Sequence, residues 1–182
     1  MAKIWEEAQA CIDKIVATLG ENVTAQSCIN HKFCERLQAR LVPALPKCCV
    51  EIGTMRGLSA VALAHFCGTV ITIDVAWPPE LAQVLDLCPR HIRDRIAPVL
   101  IPDNSAKAAL IQRLDFDFAY IDAGHTEGQV ALDFALTRGC GQVFFHDYDA
   151  SDNGCNGVKV MLDKVTDGIM TPRPPFAWWW TK

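Results

Sequence analysis

The chain has 182 residues, enough for one domain with a proper core and too few for two of ordinary size. Apolar residues make up 51% and charged residues 21%, which excludes a disordered chain. The formal net charge of -4, with no long run of Lys or Arg, argues against a nucleic-acid partner held by bulk electrostatics.

Along the chain, the opening MAKIWEEAQA carries Glu6 and Glu7 and reads as an amphipathic helix, not a secretion signal. Ile4, Ala8, Cys11, Ile12, Ile15, Val16 and Leu19 recur at helical spacing until Gly20. A second helix is expected over about 25 to 41, with Ile29, Phe33, Leu37 and Leu41 on one face, ended by Pro43 and Pro46. From Cys48 the texture changes to short apolar runs alternating with helical segments. The runs are 49–52, 70–73, 97–101, 118–121 and 142–145. Continuous apolar runs of this length predict strands buried on both faces, hence a parallel sheet with helices on either side. Thr126 is expected to cap the helix after the fourth run, and Gly139 to close it. After a helix at about 156 to 166, residues 168–171 and 176–180 flank Pro172-Arg173-Pro174-Pro175, which predicts an antiparallel hairpin at one sheet edge.

Nine cysteines, an odd number with no C-x-x-C, give no zinc or redox motif. Most sit in apolar runs and read as small hydrophobes in a reducing compartment, so a cytoplasmic protein is expected. No stretch of about 18 uncharged apolar residues offers a membrane span.

Ligands of open α/β sheets bind beyond the carboxyl ends of the strands, where strand order reverses. The residues that follow each run are therefore the informative ones. After the first run come Gly53-Thr54-Met55-Arg56-Gly57-Leu58-Ser59, preceded by Glu51. The two glycines let a ligand approach the main chain closely. Their spacing is not that of a nicotinamide-binding turn, and no lysine follows Gly57 as in a phosphate-cradling loop. A carboxylate at Glu51 would repel a pyrophosphate but suit a cationic or amino-acid-bearing ligand. Asp74 ends the second run, where a carboxylate can accept from two ribose hydroxyls. Asp103-Asn104-Ser105, Asp122-Ala123-Gly124-His125 and His146-Asp147-Tyr148 follow the other three.

With these residues in order, the chain resembles a class I S-adenosylmethionine-dependent methyltransferase. More narrowly, it is similar to the small-molecule O-methyltransferase group whose fourth strand ends in I-D-G-D-H-S-Y-E-G-V and whose fifth ends in H-D-Y. The corresponding residues are Ile121-Asp122-Ala123-Gly124-His125-Thr126-Glu127-Gly128-Gln129-Val130 and His146-Asp147-Tyr148, with Gly157-Val158-Lys159 resembling the G-V-K that opens the last helix. The resemblance covers residues 48–182 and implies a Rossmann-like three-layer sandwich: a mostly parallel seven-stranded sheet with a C-terminal antiparallel hairpin. Residues 1–47 would then be an N-terminal helical extension that covers the cofactor and shapes the acceptor pocket.

By resemblance, Glu51, Gly53, Thr54, Met55, Gly57 and Ser59 would line the methionine part of S-adenosylmethionine. Asp74 would hold the ribose and Val75 the adenine face; Asp103, Asn104 and Ser105 would flank the adenine amino group, with the acidic position falling on Asp103 or Asn104. Asp122 would sit beneath the sulfonium. Related enzymes bind a divalent ion at the fourth and fifth strand ends, and the equivalents are Asp122, His146 and Asp147. Magnesium prefers oxygen ligands, whereas a histidine in the set suits manganese, iron or zinc; His146 could instead stand behind the ligands or act on the acceptor proton. Gly124 replaces the family's second Asp, and His125 is retained as a candidate base.

Methyl transfer to a small-molecule acceptor, at a hydroxyl oxygen, is the leading expectation. A metal-dependent hydroxylase and a non-catalytic cofactor-binding protein are the alternatives. Trp178, Trp179 and Trp180 fit a substrate cage, core packing or a homodimer interface.

Overall fold

The computed structural model describes residues 3–20, 29, 31–42, 44–148 and 156–181. Cys28, Cys155, Pro43, Asp149 and the first part of the expected second helix lie outside the described residues. The helices α1 (Ile4–Leu19) and α2 (His31–Leu41) come first. An alternation follows of β1 (Cys48–Ile52), α3 (Leu58–Phe66), β2 (Thr69–Asp74), α4 (Glu80–Leu87), α5 (Arg90–Arg93), β3 (Ile96–Leu100), α6 (Asn104–Ile111), β4 (Phe118–Ile121), α7 (Glu127–Thr137) and β5 (Gln142–Phe145). The chain closes with α8 (Gly157–Leu162), β6 (Ile169–Arg173) and β7 (Phe176–Trp180).

Seven strands form one sheet in the order β3-β2-β1-β4-β5-β7-β6. The first five strands pair in parallel, and β7 runs antiparallel to both β5 and β6. The chain moves outward from β1 through β2 to β3, then returns to place β4 on the other side of β1. The order thus reverses between β1 and β4, where Val50 is paired with Ile71 on one side and Ala119 on the other. This is the place where an open α/β sheet leaves a crevice.

Both faces are covered, which is why the strands read as unbroken apolar runs. On one face Ile12, Ile15, Phe33 and Leu37 of α1 and α2 join the α3 residues against Tyr120 and Phe144. The α3 helix is apolar all round, with eight of its nine residues buried, as suits a helix enclosed by sheet and helices. On the other face α7 and α8 cover Ile121, Val143, Phe145 and Trp179. The hairpin aromatics alternate between the faces: Trp178 stacks near Phe118 with ring centroids 5.5 Å apart, while Trp179 meets Phe134 edge-on at 4.9 Å. These two tryptophans are therefore core residues.

The Thr126 hydroxyl accepts from the Gln129 N–H at 3.3 Å, so the expected cap is present. The expected stop at Gly139 is displaced. A 3-10 turn over Arg138–Cys140 continues the helix, and Gly141, at φ 88°, takes the left-handed conformation that ends it. The seven described cysteines are free thiols, and burial pushes Cys34 up to about 12 and Cys140 up to about 11. Thiols so held are small apolar residues, as the sequence suggested. Among the described residues, no helix is long and apolar enough to cross a membrane.

Candidate functional site

A cavity of about 530 Å³ opens at the carboxyl ends of the strands, over the point where strand order reverses. Its lining brings together Gly53, Thr54, Met55, Gly57, Ser59, Asp74, Val75, Asp103, Asn104, Asp122, His125, His146 and Asp147. Of the residues singled out in the sequence, Glu51 and Ser105 lie outside that lining.

The turn after β1 is shaped by steric necessity. Gly53 has φ 103°, and a Cβ there would stand 2.0 Å from the Asp122 carbonyl oxygen, so the β1 and β4 ends touch as only glycine permits. Gly57, at φ 83°, caps α3 in the left-handed region, and a Cβ there would meet the Leu81 side chain at 2.6 Å. Between them Met55 is left-handed without being glycine, at φ 45°. Its conformation is held by Asp74, whose Oδ2 accepts the Met55 N–H at 2.8 Å while Oδ1 accepts the Val75 N–H at 2.7 Å. Each carboxylate oxygen keeps a further lone pair for a ligand. Asp74 therefore both fixes the turn and faces the cavity.

Asp103 is the N-cap of α6, its Oδ1 accepting from the Ala106 N–H at 2.8 Å. Asp103 and Asn104 both reach the cavity. Glu51 differs from its expected state. It is wholly buried under the turn, and burial pushes its carboxyl up to about 8. The Ser59 and Thr72 hydroxyls offset this only in part, since neither carboxylate oxygen meets a partner at hydrogen-bonding geometry. Burial thus favours the protonated acid at Glu51 over the expected carboxylate.

The opposite rim is built from side chains. Asp147 Oδ2 lies 2.7 Å from His125 Nε2 and 3.0 Å from His146 Nδ1. Asp122 Oδ1 stands 3.4 Å from His146 Nδ1 and 3.8 Å from His125 Nε2. The other oxygen of Asp122 accepts the Tyr120 phenol proton at 3.0 Å. Burial works against a charge on His146, yet the two carboxylates prevail and lift it to about 9. Burial likewise raises Asp122 and Asp147, but His125 and His146 hold both below the usual carboxylate range. Asp147 adopts φ 56°, a left-handed backbone that turns its carboxylate into this cluster.

One potential ligand atom from each of Asp122, His146 and Asp147 lies within 4.8 Å of the others. Nε2 of buried His146 meets no hydrogen-bond partner among the described residues, so an ion that displaces the ring proton would find a donor nitrogen there. Two carboxylates and an imidazole make a mixed oxygen–nitrogen donor set that fits a divalent cation.

The space beside Gly124 is taken by Gln129: a Cβ at 124 would stand 2.8 Å from Gln129 Cγ. The Gln129 amide donates to both carboxylate oxygens of Asp133 at 3.1 Å, and Asp133 pairs with Lys107. Lys107 and Gln129 line the cavity, and sequence reading passed over both. The available signal was Lys107 and Asp133 set in otherwise apolar helix faces, where an unpaired charge would be costly. Trp178, Trp179 and Trp180 are absent from the cavity lining, so core packing accounts for them better than a substrate cage does.

No protein-family model matches the chain, and no curated protein matches it in sequence. Solved structures do match. An O-methyltransferase from Bacillus cereus in complex with SAH superposes with TM-score 0.69 at 15% identity, over 95% of this chain and 91% of that one. An SAH-bound methyltransferase from Podospora anserina gives TM-score 0.69 at 15% identity, over 100% and 89%. An O-methyltransferase of tomaymycin synthesis from Streptomyces achromogenes, in complex with SAM, gives 0.63 at 14%, over 100% and 91%. Identities this low carry a likeness of fold, and with the strand order and the cavity at its reversal point they show that the chain is built on the class I methyltransferase fold.

Proposed function

We propose that the protein transfers a methyl group from S-adenosylmethionine to a hydroxyl oxygen of a small-molecule acceptor. The observation that carries this reading is one cavity walled on one side by the Gly53–Gly57 turn with Asp74, and on the other by Asp122, His125, His146 and Asp147. The first wall suits a nucleoside with an amino-acid tail: close backbone approach at the glycines, and free lone pairs on Asp74 for ribose hydroxyls. Asp103 or Asn104 would meet the adenine edge. The second wall supplies negative charge where a sulfonium would lie and a basic group where a hydroxyl would lose its proton.

In the transfer, the acceptor oxygen forms its bond to the methyl carbon as the sulfur–carbon bond breaks, leaving S-adenosylhomocysteine. Positioning supplies much of the rate of such an in-line displacement. The hydroxyl proton passes to the His125–Asp147 pair, which are 2.7 Å apart. Asp122, held by Tyr120, stays ionised beneath the sulfonium. A magnesium, manganese or similar ion held by Asp122, His146 and Asp147 would lower the acceptor's pKa and fix its angle. Residues 1–47 contribute an acceptor-side wall, as Ile29 in the cavity lining supports. The free thiols agree with work in a reducing compartment such as the cytoplasm.

Calorimetry with S-adenosylhomocysteine, followed by methyl-transfer assays on a panel of phenols and catechols with and without a chelator, tests the reading. Micromolar binding, roughly -8 kcal/mol, and methylated product are expected. Chelation should abolish transfer and leave cofactor affinity intact. Undiminished transfer after exhaustive chelation would remove the ion and leave His125 as the base. Binding without turnover across the panel would make the protein a cofactor binder, and product formed without S-adenosylmethionine would overturn the reading.

A further inference from the structure

A second cavity, of about 290 Å³, lies between α2 and the C-terminal hairpin, where Arg36, Arg40, Arg173, Thr171, Trp178 and Trp180 meet. Phe176, 1% exposed, separates it from the rim described above: its ring faces His146 at 4.9 Å on one side and the Arg36 guanidinium at 4.8 Å on the other. A neighbouring cavity of about 490 Å³ adjoins it, with Ala39, Arg40 and Trp180 in the lining of both.

The charge in this groove is one-sided. Among the described residues, no carboxylate comes within ion-pairing distance of Arg36, Arg40 or Arg173. Of the six arginines elsewhere in the chain, four have an acidic partner: Arg56 with Glu80, Arg90 with Asp94, Arg93 with Asp86 and Arg138 with Asp167. In a chain with more acids than bases, three guanidinium groups thus share one groove without an acidic partner among the described residues. Burial and the charge of Arg173 both push the Arg36 guanidinium down. A like-charge cluster of this kind is costly unless an anion joins it.

Two of the three guanidinium groups are also held in place. Arg40 lies 3.6 Å from the Trp180 ring centroid, and Arg36 donates to the carbonyls of Arg173 and Pro174 at 2.8 and 3.1 Å. Such fixed guanidinium groups lose little freedom on meeting a ligand. An independent feature points the same way. Trp178, which lines this cavity and is 6% exposed, has a buried indole N–H that meets no hydrogen-bond partner among the described residues. It is another donor lacking an acceptor.

From this juxtaposition we infer that the groove is a binding site for a small phosphate monoester. The doubly charged phosphoryl group sits among Arg36, Arg173 and Arg40, and the organic part lies along Trp180 into the adjoining cavity. A phosphoryl dianion, with three acceptor oxygens and two charges, can meet more than one guanidinium at once, which suits a cluster of arginines better than a single carboxylate does. This inference does not depend on methyl transfer, because the groove shares no lining residue with the cofactor cavity.

Phenyl phosphate and inorganic phosphate are the probes, titrated into the whole chain at pH 7.5 while the tryptophan indole N–H resonances are followed. Saturable binding is expected, tighter for phenyl phosphate, with the Trp178 resonance, assigned through Trp178→Phe, moving most. Arg173→Met and Arg40→Met should each weaken phenyl phosphate about tenfold or more, because each removes a charge-assisted contact. Arg90→Met, on an exposed helix, should bind as the parent does. Circular dichroism and a urea unfolding midpoint equal to the parent's serve as the check that each variant is folded. No saturable binding at millimolar probe, or binding retained in both folded groove variants, would overturn the assignment.

Discussion

The two walls of the cavity at the strand ends are built by opposite means. Around Gly53, Met55 and Gly57 the chain uses backbone: left-handed dihedrals, a contact that excludes a Cβ, and amides pinned to Asp74. Across the cavity Asp122, His125, His146 and Asp147 are side chains whose charge states depend on one another. The first wall should therefore fail by steric change and tolerate pH, whereas the second should keep its shape and respond to charge.

The largest effect is expected from Gly53→Ala. Its methyl would overlap the Asp122 carbonyl, so the variant should lose about 4 kcal/mol or more in urea unfolding, or fail to fold. A loss under about 1 kcal/mol would show that the two strand ends can part. Asp74→Ala comes next, because it removes the proposed ribose acceptors and releases Met55 together. S-adenosylhomocysteine binding should weaken by about 2 to 4 kcal/mol by calorimetry. Unchanged affinity in a folded variant would take Asp74 out of the site.

Glu51 tests the floor beneath both walls. Its folded value of about 8 stands above the ordinary 4.5, so the fold is penalised as pH rises from 4.5, and the penalty stops growing above about 8. Glu51→Gln should accordingly gain about 2 to 3 kcal/mol at pH 7 and show no gain at pH 4. Equal gains at both pH values would contradict the buried, protonated acid.

The smallest effect concerns the charged wall. With His146 lifted to about 9 from an ordinary 6.5, its pairing stabilises the fold fully below about 6.5, and this contribution is lost as pH rises through 9. Asp147→Asn should cost about 1 to 2 kcal/mol near pH 6 and flatten the decline between pH 7 and 9.5, read from chemical denaturation at each pH. A decline as steep as in the parent would assign it to another group.

Much of the first wall was legible because it is local. Gly53, Gly57 and Asp74 follow directly on apolar runs, and both a turn that needs glycine and a strand-end acid are written within a few residues. The second wall was legible only as separate strand-end acids and histidines. That Asp147 lies 2.7 Å from His125, across a separation of 22 positions, depends on β4 and β5 being neighbours and on the left-handed turn at Asp147. Gln129 was invisible for the same reason: its filling of the space at Gly124 needs the α7 entry angle.

The sequence by itself determined the elements and the sheet type. Period, apolar run length and turn residues act over a few bonds, and unbroken apolar runs require cover on both faces. The helix stop at Gly141 instead of Gly139 shows the limit even there, because a 3-10 turn can continue a helix past its first glycine. Tertiary structure alone decided the upward shift of the Glu51 carboxyl, the core role of Trp178 and Trp179, and the gathering of arginines between α2 and the hairpin. The physical reason is common to all three. Burial and charge compensation are set by which distant segments pack together, and a side chain's chemistry follows from that company more than from its place in the chain.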